Sequence, residues 1–191
     1  GSAIGVVVES QSEKLPVGAT VRHRMGWREL AVVDDVAATV CDLSKAPAVS
    51  WLSSMGQTGF TAYAGLVPVG RLAEGETVFV TGAGGAVGSM AGQFARLMGA
   101  GRVVGSAGGA EKCAWLLDEC GFDHVINYRD ADVRAELPKA APDGIDLFFD
   151  NVGGWQMVAA LHNMKIHGRI SMCGAVSNFG TTDQPSMAEL I

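Results

Sequence analysis

Residues 77–89 constrain the fold more than any other stretch of the chain. They begin with a run of β-branched and aromatic residues, Thr77-Val78-Phe79-Val80, which predicts a buried strand. A glycine-rich turn follows, and apolar residues then recur at helical spacing, at Val87, Met90, Ala91, Phe94, Leu97 and Met98. A strand, a glycine-rich turn and a helix, in that order, predict the first unit of a dinucleotide-binding fold.

The glycine turn fits the G-x-G-x-x-G pattern in two registers. If the pattern starts at Gly82, Val87 stands in the third glycine position. If it starts at Ala83, Gly85 and Gly88 occupy the second and third positions. In either register the turn must be tight, and the free N–H groups of the helix N-terminus would bind a pyrophosphate. A glycine-rich loop that binds no ligand is the alternative.

Strands and helices alternate along the rest of the chain. Their spacing predicts strands at residues 103–106, 125–128, 145–150 and 169–173, and helices at 110–120, 132–141 and 155–164. This alternation predicts an α/β fold with a doubly wound parallel sheet of the Rossmann type. Such a sheet would still lack its last strand, so we expect the chain to be truncated there.

Residues 3–34 have a different character, because short β-rich runs follow one another without helical spacing. We predict strands at residues 3–9, 19–25 and 27–33, and then helices at 46–55 and 58–67. This front part resembles a β domain that starts in its middle, so we expect truncation at this end as well.

The bulk composition describes a chain that can bury a sizeable core. Of its 191 residues 48% are hydrophobic and 18% are charged, and no apolar run is long enough to cross a bilayer. A net charge of −6 without a basic patch argues against nucleic acid as a partner. The four cysteines form no C-x-x-C pair, and we expect Cys113 and Cys120 to be buried on one helix face. Because the cysteines suggest no disulfide framework, we predict the reducing cytoplasm as the location.

The end of the second strand of the dinucleotide fold indicates which nucleotide binds. NAD sites place an acidic residue there, whereas this chain has Gly105-Ser106-Ala107-Gly108-Gly109. Lys112 follows closely, and a cation beside an acid-free pocket suits the 2′-phosphate of NADP. A solvated lysine in the first turn of a helix is the alternative for Lys112. A half-buried strand residue is the alternative for Tyr128, which ends the third strand.

Several sequence blocks occur together in one order. They are Gly26-Trp27, Gly59-Phe60-Thr61-Ala62-Tyr63, Gly84-Gly85-Ala86-Val87-Gly88-Ser89, Glu111-Lys112, Asn127-Tyr128, Asp150-Asn151-Val152-Gly153-Gly154 and Cys173-Gly174-Ala175-Val176-Ser177. This combination resembles the zinc-independent medium-chain dehydrogenase/reductases. Within them it is most similar to the double-bond reductase branch of prostaglandin, 2-alkenal and curcumin reductases, and the resemblance covers nearly the whole chain.

The resemblance implies two domains. Residues 1–54 would be part of a GroES-like β-barrel catalytic domain, and residues 55–191 would be an NADP-binding Rossmann domain that is truncated at its C-terminus. Groups that bind the substrate would then lie largely outside this chain, and whether the truncated chain turns over substrate is left open. A homodimer, or self-association through an unpaired sheet edge, is a further expectation.

The resemblance also implies a set of cofactor-binding residues. The set comprises Thr61 on the inter-domain helix; Gly84, Gly85, Ala86, Val87 and Gly88 at the pyrophosphate; Ser106, Lys112 and Tyr128 toward the 2′-phosphate of NADPH; Asn151; and Cys173, Gly174, Ala175 and Ser177 beside the nicotinamide and its ribose. Asn151 has a second reading as the N-cap of the next helix. Cys173 has a second reading as a small buried thiol, and we do not expect it to be a nucleophile.

The function that the resemblance implies is an NADPH-dependent oxidoreductase that reduces the activated C=C bond of α,β-unsaturated ketones or aldehydes. An NADPH-dependent quinone reductase of the same superfamily and a non-catalytic nucleotide-binding module are the alternatives. Met55 stands where zinc-dependent relatives carry a catalytic cysteine, so no metal is expected. Phe179 stands where the branch usually has a tyrosine near the substrate carbonyl, and it lacks that donor hydroxyl. No catalytic residue is assigned.

Overall fold

The computed structural model describes residues 1–178 and 185. The chain divides into two compact units, Gly1–Phe60 and Thr61–Ile191. The first unit contains a three-stranded antiparallel sheet formed by β1 (Ala3–Val6), β2 (Thr20–His23) and β3 (Thr39–Val40), in that order. Two of the three predicted strands at the front of the chain are therefore present, in shorter form.

The predicted strand at residues 27–33 is wrong, because this segment has no regular secondary structure. Trp27 and Val32 are 86% and 95% exposed. Residues with high β propensity hold a strand only where a neighbouring strand and a packed face support them. In the described part of the first unit, β1 pairs only with β2, so the segment has no such support.

The predicted helix at residues 46–55 is also wrong, because only one 3₁₀ turn forms, at Ala48–Trp51. The Ser53 hydroxyl donates to the carbonyl oxygen of Val49 at 3.0 Å, and the Met55 amide donates to the Ser50 carbonyl at 2.8 Å. Serine side chains compete in this way with regular helical bonding. The following helix, α1 (Gln57–Ala64), is present and continues into a π-helical turn at Gly65–Val69.

The second unit is built on a five-stranded parallel sheet with the order β6-β5-β4-β7-β8. Its strands are β4 (Thr77–Val80), β5 (Arg102–Ala107), β6 (His124–Asn127), β7 (Ile145–Asp150) and β8 (Met164–Met172). Its helices after α1 are α2 (Ala86–Leu97), α3 (Ala110–Asp118), α4 (Val133–Ala140) and α5 (Gly154–Leu161). The predicted α/β fold with a doubly wound Rossmann-type sheet is confirmed. The last predicted helix ends three residues early, and β8 starts at Met164.

Alternating strand residues create one core on each face of the sheet. Val78 and Val80 pack on the same face as α2 and α3, whereas Phe79 packs on the face of α4 and α5. On that second face the Phe79 and Phe148 rings stack with centroids 5.4 Å apart. All of these strand residues are fully buried, as expected for a parallel sheet that is covered on both faces.

The buried face of α2 differs from the one that apolar spacing predicts. Its buried residues are small: Gly88, Ser89, Ala91, Gly92 and Ala95. Leu97, which the spacing placed on the apolar face, is 83% exposed. A β-carbon at Gly92 would overlap the ring of Phe122, so the helix comes close to its neighbours because it has no side chain at this point. Larger residues such as Val87, Met90 and Phe94 pack at the margin.

Candidate functional site

Glycines at two key positions build the turn between β4 and α2. Gly82 has a φ of 59°, in the left-handed region that favours glycine. Its carbonyl oxygen accepts a 3.0 Å hydrogen bond from Gly85 N, and a β-carbon on Gly88 would collide with that same oxygen. Gly88 therefore lets the first turn of α2 pack directly on the loop. This close approach decides between the two registers of the motif, and Gly85 and Gly88 are its second and third glycines.

The same turn presents free backbone donors. Gly85 caps α2 without a side chain, and the first helical hydrogen bond runs from Ser89 N to Gly85 O at 2.9 Å. The amides that find no acceptor among residues 1–178 and 185 are those of Gly84, Ala86, Val87 and Gly88. The first turn of α2 carries no acidic side chain. Free amides at the positive end of a helix dipole form an anion-binding site that suits phosphate.

Lys112 lies beside this turn. Its Cδ is 3.0 Å from the position that a β-carbon on Gly84 would occupy, so the lysine stem passes over the glycine loop. The side chain is exposed and forms no ion pair with any described residue. The structure thus places a lysine that has no ion-pair partner among the described residues next to the glycine loop that carries the four free amides.

Tyr128 lies just beyond β6, next to the loop that follows β5. Its amide donates to Ala107 O at 3.1 Å, and its Oη is 2.6 Å from the position of a β-carbon on Gly108. The side chain is 44% exposed. Tyr128 is therefore a partly exposed residue directly after β6, and its phenol lies next to Gly108 of the neighbouring loop.

Arg129 is a residue of this edge that the sequence interpretation missed. Its Nε lies 3.1 Å from the same β-carbon position on Gly108 that Tyr128 approaches. The side chain is exposed and has no acidic partner within the described part of the chain. A sequence signal was present, because a second polar residue directly follows Tyr128 where a parallel strand ends, at the edge where such sheets bind ligands.

A buried carboxylate joins the ends of β4 and β7. Asp150 is fully buried, and one of its oxygens accepts a 2.6 Å hydrogen bond from Thr81 Oγ1. The amides of Val152 and Gly153 also donate to this oxygen, both at 2.9 Å. These bonds satisfy the carboxylate and hold the loop after β7 at the point where the strand order reverses, which is where such sheets bind their ligands.

Asn151 belongs to the same network. Its amide donates to Thr81 Oγ1 at 2.9 Å, and its Nδ2 donates to Thr81 O at 2.7 Å. The N-cap reading is wrong, because Gly153 caps α5 and the side-chain acceptor in that loop is Asp150. The Oδ1 of Asn151 receives no hydrogen bond from the described residues, so it remains available as an acceptor at the crevice.

Ser106 is placed differently from the other residues of the predicted set. Its side chain is fully buried, and its hydroxyl donates to Gln156 Oε1 on α5 at 2.5 Å. Its carbonyl oxygen accepts a 2.9 Å hydrogen bond from Ala83 N. Ser106 therefore supports the glycine turn through its backbone, while its hydroxyl bonds to α5.

The segment after β8 folds back on the loop after β7. The amides of Cys173 and Gly174 donate to Asp150 O at 2.8 and 3.0 Å, and Ser177 Oγ donates to Val152 O at 2.6 Å. Ala175 lies between these anchors. Cys173 is exposed, so its reading as a buried thiol is wrong, while Cys113 and Cys120 are buried as predicted. Desolvation and then the Asp150 charge raise the pKa of the Cys173 thiol.

Two further predicted positions are Thr61 and Phe179. Thr61 is half-buried on α1. Phe179 lies outside the described residues.

No group of three or more His, Cys, Asp or Glu side chains that could hold a metal ion occurs within residues 1–178 and 185. In the same residues no helix is long and apolar enough to cross a membrane.

Comparison with known proteins assigns the chain to a protein family. The profile of the family described as zinc-binding dehydrogenase matches residues 86–191, more than half of the chain. The chain belongs to this family. It is 41% identical over 181 residues to the NADP(+)-dependent 2-alkenal reductase of Nicotiana tabacum. This alignment covers 94% of this chain and 52% of the relative. It is 41% identical over 186 residues to prostaglandin reductase 1 of Mus musculus, with coverages of 95% and 56%.

A solved structure agrees with these relatives. The structure of CurA from Vibrio vulnificus in complex with NADPH superposes with a TM-score of 0.86 at 38% identity, and it covers all of this chain and 58% of that protein. The predicted resemblance to the double-bond reductase branch of the medium-chain dehydrogenase/reductases is confirmed. The chain spans about half the length of the curated relatives it matches.

Proposed function

We propose that the protein is an NADPH-dependent oxidoreductase that reduces the activated C=C bond of α,β-unsaturated aldehydes or ketones. The observation that carries the nucleotide half is the pairing of four acceptor-free amides at the glycine turn with Lys112, beside a strand end without an acid. The substrate half is supported by the relatives, one named as a 2-alkenal reductase and one as a prostaglandin reductase.

The described residues fit the cofactor at its phosphates. The amides of Gly84, Ala86, Val87 and Gly88 would hold the pyrophosphate, because they are free donors at a helix N-terminus. Lys112 and Tyr128 would hold the 2′-phosphate, and the absence of an acid after β5 removes the partner that a free 2′-hydroxyl would need. In this proposal Gly85 shapes the turn, and Ser106 supports it through the hydrogen bond that its carbonyl oxygen accepts from Ala83 N.

The other half of the cofactor would lie along the switch point between β4 and β7. Asn151 would accept a hydrogen bond through Oδ1, and Thr81 and Asp150 would position it. The segment with Cys173, Gly174, Ala175 and Ser177 would line the nicotinamide side, and Thr61 would contact the cofactor from α1. Bound NADPH supplies the hydride for the β-carbon of the enone, while the chain binds and orients it.

The chemistry also needs hydrogen-bond donors for the negative charge that develops on the carbonyl oxygen. No residue of this chain is assigned that task. A raised thiol pKa leaves Cys173 neutral near pH 7, so it would line the site and would not attack the substrate. The homodimer and the cytoplasmic location stay predictions.

The test is calorimetric titration of the protein with NADPH and with NADH. We expect NADPH to bind more tightly and Lys112→Ala to remove the difference. Comparable binding of the two nucleotides would contradict the assignment of Lys112. Turnover of a 2-alkenal but not of a quinone by the full-length protein then separates the enone reductase from the quinone reductase. Nucleotide binding by the full-length protein without turnover of either substrate supports a binding module.

A further inference from the structure

We propose that Arg129 is a second cation for the 2′-phosphate of NADP(H), and that it sets nucleotide preference together with Lys112. This inference rests on the proposed function. Lys112 and Tyr128 follow from the family resemblance, whereas Arg129 follows from its position over Gly108. Its Nε and the Tyr128 Oη both approach the point where a β-carbon of Gly108 would lie, at 3.1 and 2.6 Å.

The backbone of Arg129 is fixed to the loop after β5. Asn127 Oδ1 accepts a 2.9 Å hydrogen bond from Gly109 N and a 3.3 Å hydrogen bond from Arg129 N. One side chain thus ties the β5–α3 loop to the β6–α4 loop. This bridge fixes the Arg129 backbone beside the loop after β5, and in the structure the Nε of its side chain lies next to Gly108.

The guanidinium is also electrostatically available. The nearest acid in sequence is Asp130, and its carboxylate accepts a hydrogen bond from Asn127 Nδ2. No described acidic side chain pairs with Arg129. An exposed arginine without a partner, held beside a phenol hydroxyl, presents a planar set of donors that matches phosphate geometry.

Charge balance calls for a second cation at this position. A 2′-phosphate carries close to two negative charges at pH 7. Glu111 stands in the first turn of α3, one residue before Lys112, and it opposes an anion there. Lys112 alone would leave the phosphate under-compensated, and Arg129, whose Nε lies beside Gly108, would supply the missing charge.

The experiment uses the adenosine end of the cofactor alone. The affinities of 2′,5′-ADP and 5′-AMP are measured by titration calorimetry for the parent protein and for Arg129→Gln, Arg129→Lys and Lys112→Gln. Arg134→Gln is the charge-matched control, because Arg134 is exposed on α4 and its substitution removes the same single positive charge. Urea unfolding of each variant verifies that the fold is kept.

We expect Arg129→Gln to weaken 2′,5′-ADP binding by about tenfold and to change 5′-AMP binding by less than about twofold, as for a lost charge-assisted hydrogen bond. Arg129→Lys should retain part of the preference, and Arg134→Gln should retain all of it. Equal losses for both nucleotides, or an equal loss in Arg134→Gln, would overturn the inference.

The result also separates the two proposals. If the parent protein binds 2′,5′-ADP no more tightly than 5′-AMP, the NADPH assignment fails and the role of Arg129 fails with it. If Lys112→Gln removes the preference and Arg129→Gln keeps it, the NADPH assignment stands and the role of Arg129 alone is overturned.

Discussion

The hydroxyl of Thr81 donates a 2.6 Å hydrogen bond to the buried carboxylate of Asp150, and this bond joins the ends of β4 and β7 where the strand order reverses. The same hydroxyl accepts from Asn151 N at 2.9 Å. One threonine side chain therefore shares in satisfying the buried carboxylate and positions the loop that would carry the nicotinamide half of the cofactor.

Replacing Thr81 by valine should be costly because it removes both bonds without changing the shape of the side chain. We expect Thr81→Val to lower the free energy of unfolding by about 1–3 kcal/mol, the range for a buried polar group that loses its partner. Urea denaturation measures this change. Thr81→Ser keeps the hydroxyl and is the matched control, so equal stability of the two variants would show that the hydrogen bonds matter little.

The close approach of α2 gives a prediction about packing. A β-carbon at Gly92 would overlap the Phe122 ring, so Gly92→Ala should destabilise the protein by about 1–3 kcal/mol through overpacking. Phe122→Leu in the Gly92→Ala background should restore part of this loss, because the smaller side chain makes room. Gly5→Ala, where the nearest described atom is 4.0 Å from the new β-carbon, should be close to neutral.

If Phe122→Leu does not relieve Gly92→Ala in the double-mutant cycle, the cost arises elsewhere in the helix.

An ion pair between Arg169 on β8 and Glu76, just before β4, makes stability depend on pH. Arg169 Nη1 donates to Glu76 Oε1 at 2.7 Å, and Arg169 also donates to Gly70 O at 3.0 Å, so it ties β8 to the segment after the π-helical turn. The hydrogen bond from Arg169, opposed by partial burial, lowers the pKa of Glu76 below its ordinary value of 4.5. A lowered pKa in the folded state means that the stabilisation is present above pH 4.5 and is lost as the pH falls below it.

Urea denaturation between pH 7 and pH 3 tests this linkage. Glu76→Gln should be less stable than the parent at pH 7 by about 1–3 kcal/mol, and the difference should shrink as the pH falls below the ordinary carboxyl pKa. A difference that stays constant with pH would show that the glutamate acts through packing and not through its charge.

Cysteine reactivity gives a fourth prediction. Of the four cysteines only Cys173 is exposed, and its pKa is raised above 9.0, first by desolvation and then by the charge of Asp150. Because the thiolate is the reactive form, Cys173 should react with iodoacetamide at pH 7 more slowly than a free cysteine, and faster as the pH rises. Mass spectrometry of the modified peptide measures the rate, with Cys173→Ser as control. A reaction faster than that of free cysteine at pH 7 would contradict the raised pKa.

Local pattern predicted the sheet domain well because its strands are short apolar runs bounded by glycines, and each run carries its own signal. The strand at Thr77–Val80 and the helix from Ala86 need no distant contact to be recognised. The same logic was wrong at residues 27–33, where high β propensity met no neighbouring strand in the described structure, and at residues 46–55, where serine side chains bond to the backbone.

By itself the sequence determined the α/β class, the glycine turn, the acid-free end of β5 and the position of Lys112, because each is a local property of residue type and spacing. The tertiary structure alone decided which glycine lies against the loop, that the Ser106 hydroxyl bonds to Gln156, and that Asn151 binds Thr81 rather than capping α5. It also placed Arg129 over Gly108, more than twenty residues away in sequence. Such contacts depend on how parallel strands align, and no periodicity along the chain records that alignment.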